Sequence, residues 1–99
     1  SLSKEEIEKM KKEAEVHAAE DKKRREEIDL RNQADGLAYT AEKTLKDAGD
    51  KLKAETTTKV KESITAVQAT LTGDDTEAIT KATDELSATI QAVGTELYG

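Results

Sequence analysis

The chain has 99 residues, with 16 Lys or Arg against 22 Asp or Glu and a net charge of −6. Pro, Cys, Trp and Phe are absent, and Tyr39 and Tyr98 are the only aromatics. This length suits one small domain, and the composition excludes a disulfide framework, a thiolate metal site and a cysteine nucleophile.

The first element opens at Ser3-Lys4-Glu5-Glu6, an S-x-x-E pattern that reads as a capping box. Gly36 is the only helix breaker before Gly49, so residues 3–48 are predicted to form one helix, bent at most once. Unbroken, such a helix spans roughly 70 Å and must project from any compact body of this size. Leu30, Ala34, Leu37, Ala41, Leu45 and Ala48 form an amphipathic stripe along its second half. Gly49 is expected to close it in the left-handed conformation, with Asp50-Lys51-Leu52-Lys53 as the connection.

A second helix is expected at about residues 55–72, with Val60, Ile64, Val67 and Leu71 on one face and Gly73 as its stop. Asp74-Asp75-Thr76-Glu77 reads as a D-x-x-E start for a third. That helix carries Ile79, Ala82, Leu86, Ile90, Val93 and Leu97. Strands are disfavoured by the scarcity of aromatics and of Pro. The expected fold is therefore all-α, a long N-terminal helical arm running into an antiparallel three-helix bundle. Thirteen Thr residues and Gly94 lower the helical propensity, so the stability is expected to be modest.

The bundle accounts for residues 30–99, and residues 1–29 are left as an arm. From Glu20 to Glu27 there is no apolar side chain, as in a solvated helix or one that bridges two bodies. At 100° per residue the bundle stripe centres at about 130°, whereas Ile7, Met10, Ala14, Asp21, Ile28, Asn32, Asp35 and Tyr39 centre at about 300°. One helix thus has two faces, and the second has no partner within the chain. A missing partner surface, a homodimer seam and scattered surface apolars all account for it.

Few residues suggest chemistry. His17 is alone and cannot build a multi-His metal centre. Lys22-Lys23-Arg24-Arg25 is flanked by Glu20, Asp21, Glu26 and Glu27, a pattern of i, i+4 pairs on a solvated helix. Residues 1–53 carry 13 basic and 14 acidic groups, and residues 54–99 carry 3 and 8. The acidic balance and the lack of aromatics argue against nucleic acid. No apolar run approaches the ~20 residues of a membrane span, and no signal-peptide core occurs. The carboxylate pairs Asp74/Asp75 and Asp84/Glu85 match no acid–base constellation, and no phosphate-binding glycine loop, nucleophile elbow or calcium loop is present. No catalytic, cofactor or metal site is expected. Asp35 has two readings, a local pair with Arg31 four residues earlier or a reversible salt bridge to another domain.

Several segments resemble one family. Leu2–Met10 (LSKEEIEKM), Ala19–Asp29 (AEDKKRREEID), Arg31–Asp35 (RNQAD), Glu42–Lys46 (EKTLK) and Gly49–Leu52 (GDKL) are similar, in order and without gaps, to the helical lid of the seventy-kilodalton heat-shock chaperones in their bacterial DnaK form. Residues 53–99 resemble that family mainly in helix pattern and length.

The resemblance implies a function. Such a lid closes over an unfolded peptide held by a β-sandwich substrate domain and slows its release, under control of a separate domain that binds ATP and Mg. Ile7, Met10, Ala14 and Ile28 would pack on the β-domain of the same parent chain. Asp35 would form an acidic latch with a basic group on that domain's outer loop. Tyr39 stands where many bacterial members have His, and its phenol can still hydrogen-bond there. Lys53 stands where Pro is frequent, which predicts a less sharply defined start to the second helix.

J-proteins and nucleotide-exchange factors would act on other domains of a cytoplasmic parent. The chain is then expected to be a piece of a longer protein, with Ser1 as a cloning remnant and no catalytic activity of its own. The alternative is a stand-alone helical adaptor that forms a homodimer through the arm stripe.

Overall fold

The computed structural model describes residues 1–99, and it is built from helices alone. Helix α1 covers Lys4–Ala48, a 3-10 turn covers Gly49–Lys51, α2 covers Ala54–Thr70 and α3 covers Thr76–Tyr98. The molecule measures 74 × 25 × 16 Å. Its radius of gyration is 20.7 Å, against about 13 Å for a compact chain of this length. The excess comes from α1. Its 45 residues run without interruption, through Gly36 as well. A Cβ at Gly36 would meet nothing within 4 Å, so this glycine marks neither a turn nor a close contact.

The start of α1 is fixed by Ser3, whose Oγ accepts from the Glu6 amide at 3.1 Å. The return bond of a full capping box is not made. At the other end the Gly49 amide donates to the Leu45 carbonyl. Gly49 has φ 51 as expected, but ψ is −124, outside the left-handed helical well. The chain therefore leaves α1 through the 3-10 turn rather than through a left-handed cap. Leu52 follows it and is buried, plugging the end of the bundle where a mere connection was expected.

Helix α2 ends at Thr70, two residues sooner than the spacing predicts. The Thr72 and Gly73 amides bond to Ala69 and Thr70, so the end tightens into i−3 turns and Gly73 needs no positive φ. For α3 the cap is Asp75, not Asp74. Its Oδ1 accepts from the Ala78 amide at 3.0 Å. The D-x-x-E spacing favours Asp74, and the helix uses its neighbour instead.

Three sets of contacts define the topology. Arg31 of α1 reaches the end of α2, Glu96 of α3 reaches the start of α2, and Thr44 and Ala48 share a groove with Ile90, Val93 and Leu97. Hence α2 runs antiparallel to both other helices, and α1 and α3 are parallel. The core lies between them. Ala34, Ala38, Ala41 and Ala48 meet Val60, Ile64 and Val67 from α2, and Ile79, Ala82, Leu86 and Val93 from α3.

Alanines line the α1 side because a small side chain lets two other helices approach closely. Leu30, Leu37, Leu45, Leu71, Ile90 and Leu97 are only partly buried and pack around the margin of that cluster. Their periodicity places them correctly, but three helices leave the outer edges of each stripe open to water.

Polar groups inside are satisfied. Thr83 is buried, and its hydroxyl donates to the Ile79 carbonyl at 2.6 Å. Similar bonds to the carbonyl four residues back are made by Thr44, Thr58, Thr65, Thr80 and Thr95. Threonine is thereby tolerated in these helices, at a small cost in helix geometry.

Candidate interaction site

The candidate site is the face of α1 that the bundle does not use. Every buried side chain of the molecule lies between Ala34 and Val93. On the arm, Ile7, Met10, Ala14 and Ile28 are all exposed, with Ile28 at 50%. Asp21, Asn32 and Asp35 are exposed on the same side. Tyr39 is 70% exposed although it sits among the bundle residues Ala38 and Ala41 in sequence. The stripe therefore continues past the arm onto the outer surface of the bundle. Val16 is exposed as well, on the opposite side of the arm.

Asp35 has a simple geometry. It is exposed, it sits one turn before Tyr39, and no basic group lies within ion-pair distance. The local pair with Arg31 is not formed. Arg31 turns instead toward the bundle, where Nη1 donates to the Leu71 carbonyl at 3.1 Å and Nη2 to the Gly73 carbonyl. The same guanidinium lies 3.9 Å from Asp74 Oδ1. These acceptors end α2, where the helix dipole is negative, so a cation is favoured there. Spacing alone could not reveal this clasp, because its partners are 40 or more residues away.

A second tie joins the far end of the bundle. Glu96 accepts from the Lys53 amide at 2.8 Å and from the Thr56 hydroxyl at 2.6 Å. A carboxylate from α3 thus caps the N-terminus of α2, a position that has no side-chain cap of its own. The Thr56 hydroxyl first, and then the Lys53 amide, hold the Glu96 carboxyl below its ordinary value of 4.5. Lys53 has φ −62, a value proline would also adopt, but its N–H is used, so α2 starts sharply without proline.

The remaining polar candidates are unremarkable in geometry. His17 lies 3.9 Å from Glu20, with both side chains mostly in water. The i, i+4 pairs expected between residues 20 and 27 do not come within 4 Å; the one i, i+4 ion pair is Lys59 with Glu55, in α2. No three His, Asp or Glu side chains converge as metal ligands would. No helix is long and apolar enough to cross a membrane.

A family model described as "Hsp70 protein" matches residues 1–99. The chain belongs to the Hsp70 family. It is therefore a helical segment of a chaperone, in a family that engages substrate peptides and co-chaperones.

Proposed function

We propose that this segment is the helical lid of its parent Hsp70, of the DnaK type. It closes over an unfolded peptide in a neighbouring substrate domain and slows the peptide's release. One observation carries the proposal. The same helix buries Ala34, Ala38, Ala41 and Ala48 in the bundle while leaving Ile7, Met10, Ala14 and Ile28 exposed on the other side. We assign that open stripe to the β-sandwich substrate domain of the parent chain. Covering it would remove apolar surface from water at roughly 25 cal/mol per Å².

Asp35 is the latch in this proposal. Its lack of a partner within the bundle leaves it available to a basic group on the substrate domain, and Tyr39 offers a phenol one turn further on. Both contacts are exposed in the open state, so they can form and break without disturbing the core.

We assign the chemistry of ATP and Mg, and with it J-protein and exchange-factor control, to other domains of a cytoplasmic parent. The lid itself performs no catalysis in this proposal.

Asp35→Asn in the full-length parent is expected to speed the release of a labelled peptide in the ADP state, followed by fluorescence anisotropy. The melting temperature of the 99-residue chain should barely change, because the carboxylate touches nothing in the bundle. Unchanged release in the parent sinks the latch. The homodimeric adaptor predicts a dimer at low micromolar concentration, and light scattering that finds only monomer there removes that alternative.

A further inference from the structure

We infer that Arg31 is a positioning residue for the latch, because the bundle clasp holds its guanidinium away from Asp35. The inference rests on the latch reading of Asp35 given above. At 100° per residue, Arg31 falls at about 220°, between the bundle stripe at about 130° and the outer face at about 300°. From that border its side chain has two sets of acceptors within reach. One is Asp35, four residues on along the same helix, a spacing at which Arg and Asp ordinarily pair. The other is the α2–α3 turn, with the Leu71 and Gly73 carbonyls and Asp74.

The turn wins for a geometric reason. A guanidinium is a planar fork, and two carbonyls at the end of a helix present a matching pair of acceptors. The Arg31 side chain is also about two-thirds removed from water, which strengthens its bonds to the turn relative to an exposed pair with Asp35. The choice of Asp75 as helix cap contributes as well. It leaves the Asp74 carboxylate free on the Arg31 side of the turn.

The consequence is a competition. With the clasp closed, Asp35 faces its partner domain with its full charge unpaired. With the clasp open and a cation still at position 31, Asp35 acquires a local competitor. The turn between α2 and α3 thus sets how much of the latch charge is available, although it makes no contact with Asp35 itself.

Two substitutions at one position separate this role from simple structural support. Arg31→Lys keeps the charge but loses the fork, so the ammonium is free to pair with Asp35. Arg31→Met loses both the clasp and the competitor. In the full-length parent, Arg31→Lys is expected to release labelled peptide about twice as fast as Arg31→Met, the ratio an exposed i, i+4 pair supports. A purely structural clasp predicts the reverse order, since Met makes none of the bonds. Thermal melting of the 99-residue chain supplies that structural order independently, with Arg31→Met no more stable than Arg31→Lys.

In an Asp35→Asn background the two release rates should coincide. If Asp35→Asn speeds release but Arg31→Met is as fast as Arg31→Lys or faster, the competition is wrong and the latch survives. If Asp35→Asn itself leaves release unchanged, the latch falls and the competition falls with it.

Discussion

Glu96 ties together two helix ends that lie 43 residues apart in sequence, and its stabilising effect depends on charge. Its carboxyl is held below the ordinary value of 4.5 in the folded chain. The unfolded state therefore binds the proton more readily, and acid favours unfolding. The contribution is fully present above about pH 4.5 and is lost as the pH falls through the lower, folded value. Glu96→Gln should consequently lower the melting temperature at neutral pH, and the gap from the parent chain should narrow as the pH is taken below 4. Circular dichroism melts at a series of pH values check this, and a gap that stays constant across the series argues against it. Glu96 was not singled out by spacing, because its partners come from another helix. The local pairing of Arg31 with Asp35, one of the two readings the spacing allows, fails for the same reason. The i, i+4 rule sees only the helix a residue belongs to, and here the end of a neighbouring helix offered better acceptors.

At the scale of elements, the apolar periodicity of each helix was legible, and it placed α1, α2 and α3 to within two residues at most boundaries. Repeats of three and four residues report a buried face directly. What they do not report is how close the helices come. Ala34 and Ala41 have no exposed surface at all, whereas the leucines on either side of them are only partly buried. The alanines mark the line of closest approach, and Ala38, next to that line, is buried too. Ala41→Leu should therefore cost about 1–3 kcal/mol by overpacking, despite raising hydrophobicity. Urea unfolding measures it, and a variant as stable as the parent chain would mean that α2 and α3 can part without penalty. The ends of elements were less legible than their faces. Leu52 carries no periodic signal, because it follows a turn, yet it closes the bundle. The D-x-x-E spacing selects Asp74 as a cap, the helix uses Asp75, and the unused Asp74 carboxylate lies 3.9 Å from Arg31.

At the scale of the molecule, one helix belongs to two environments. Its residues are exposed as far as Glu26, and from Leu30 onward it is held by two other helices. Amide hydrogen exchange should therefore grade along α1, fast near Lys4 and slow from Ala34 onward, since protection follows the buried contacts that must be broken. Uniform protection along all 45 residues would mean that the arm is covered in solution, as a dimer seam would cover it. The grading would also mark where a docking surface adds most, because contacts made by Ile7, Met10 and Ile28 would fall on the least protected part of the chain.

The uninterrupted helix has a further consequence, which concerns distance. A rod with no joint turns angle into travel. Over a length of about 68 Å, a tilt of about 10° at the Ser3 end carries the Ala48 end through about 12 Å, roughly the diameter of a helix with its side chains. Uncovering a bound peptide would then require no residue of α1 to leave its helical conformation and no core contact of the bundle to break. The energy of opening would be set almost wholly by what the Asp35 face releases, so the strength of a few surface contacts would determine how long a peptide is kept.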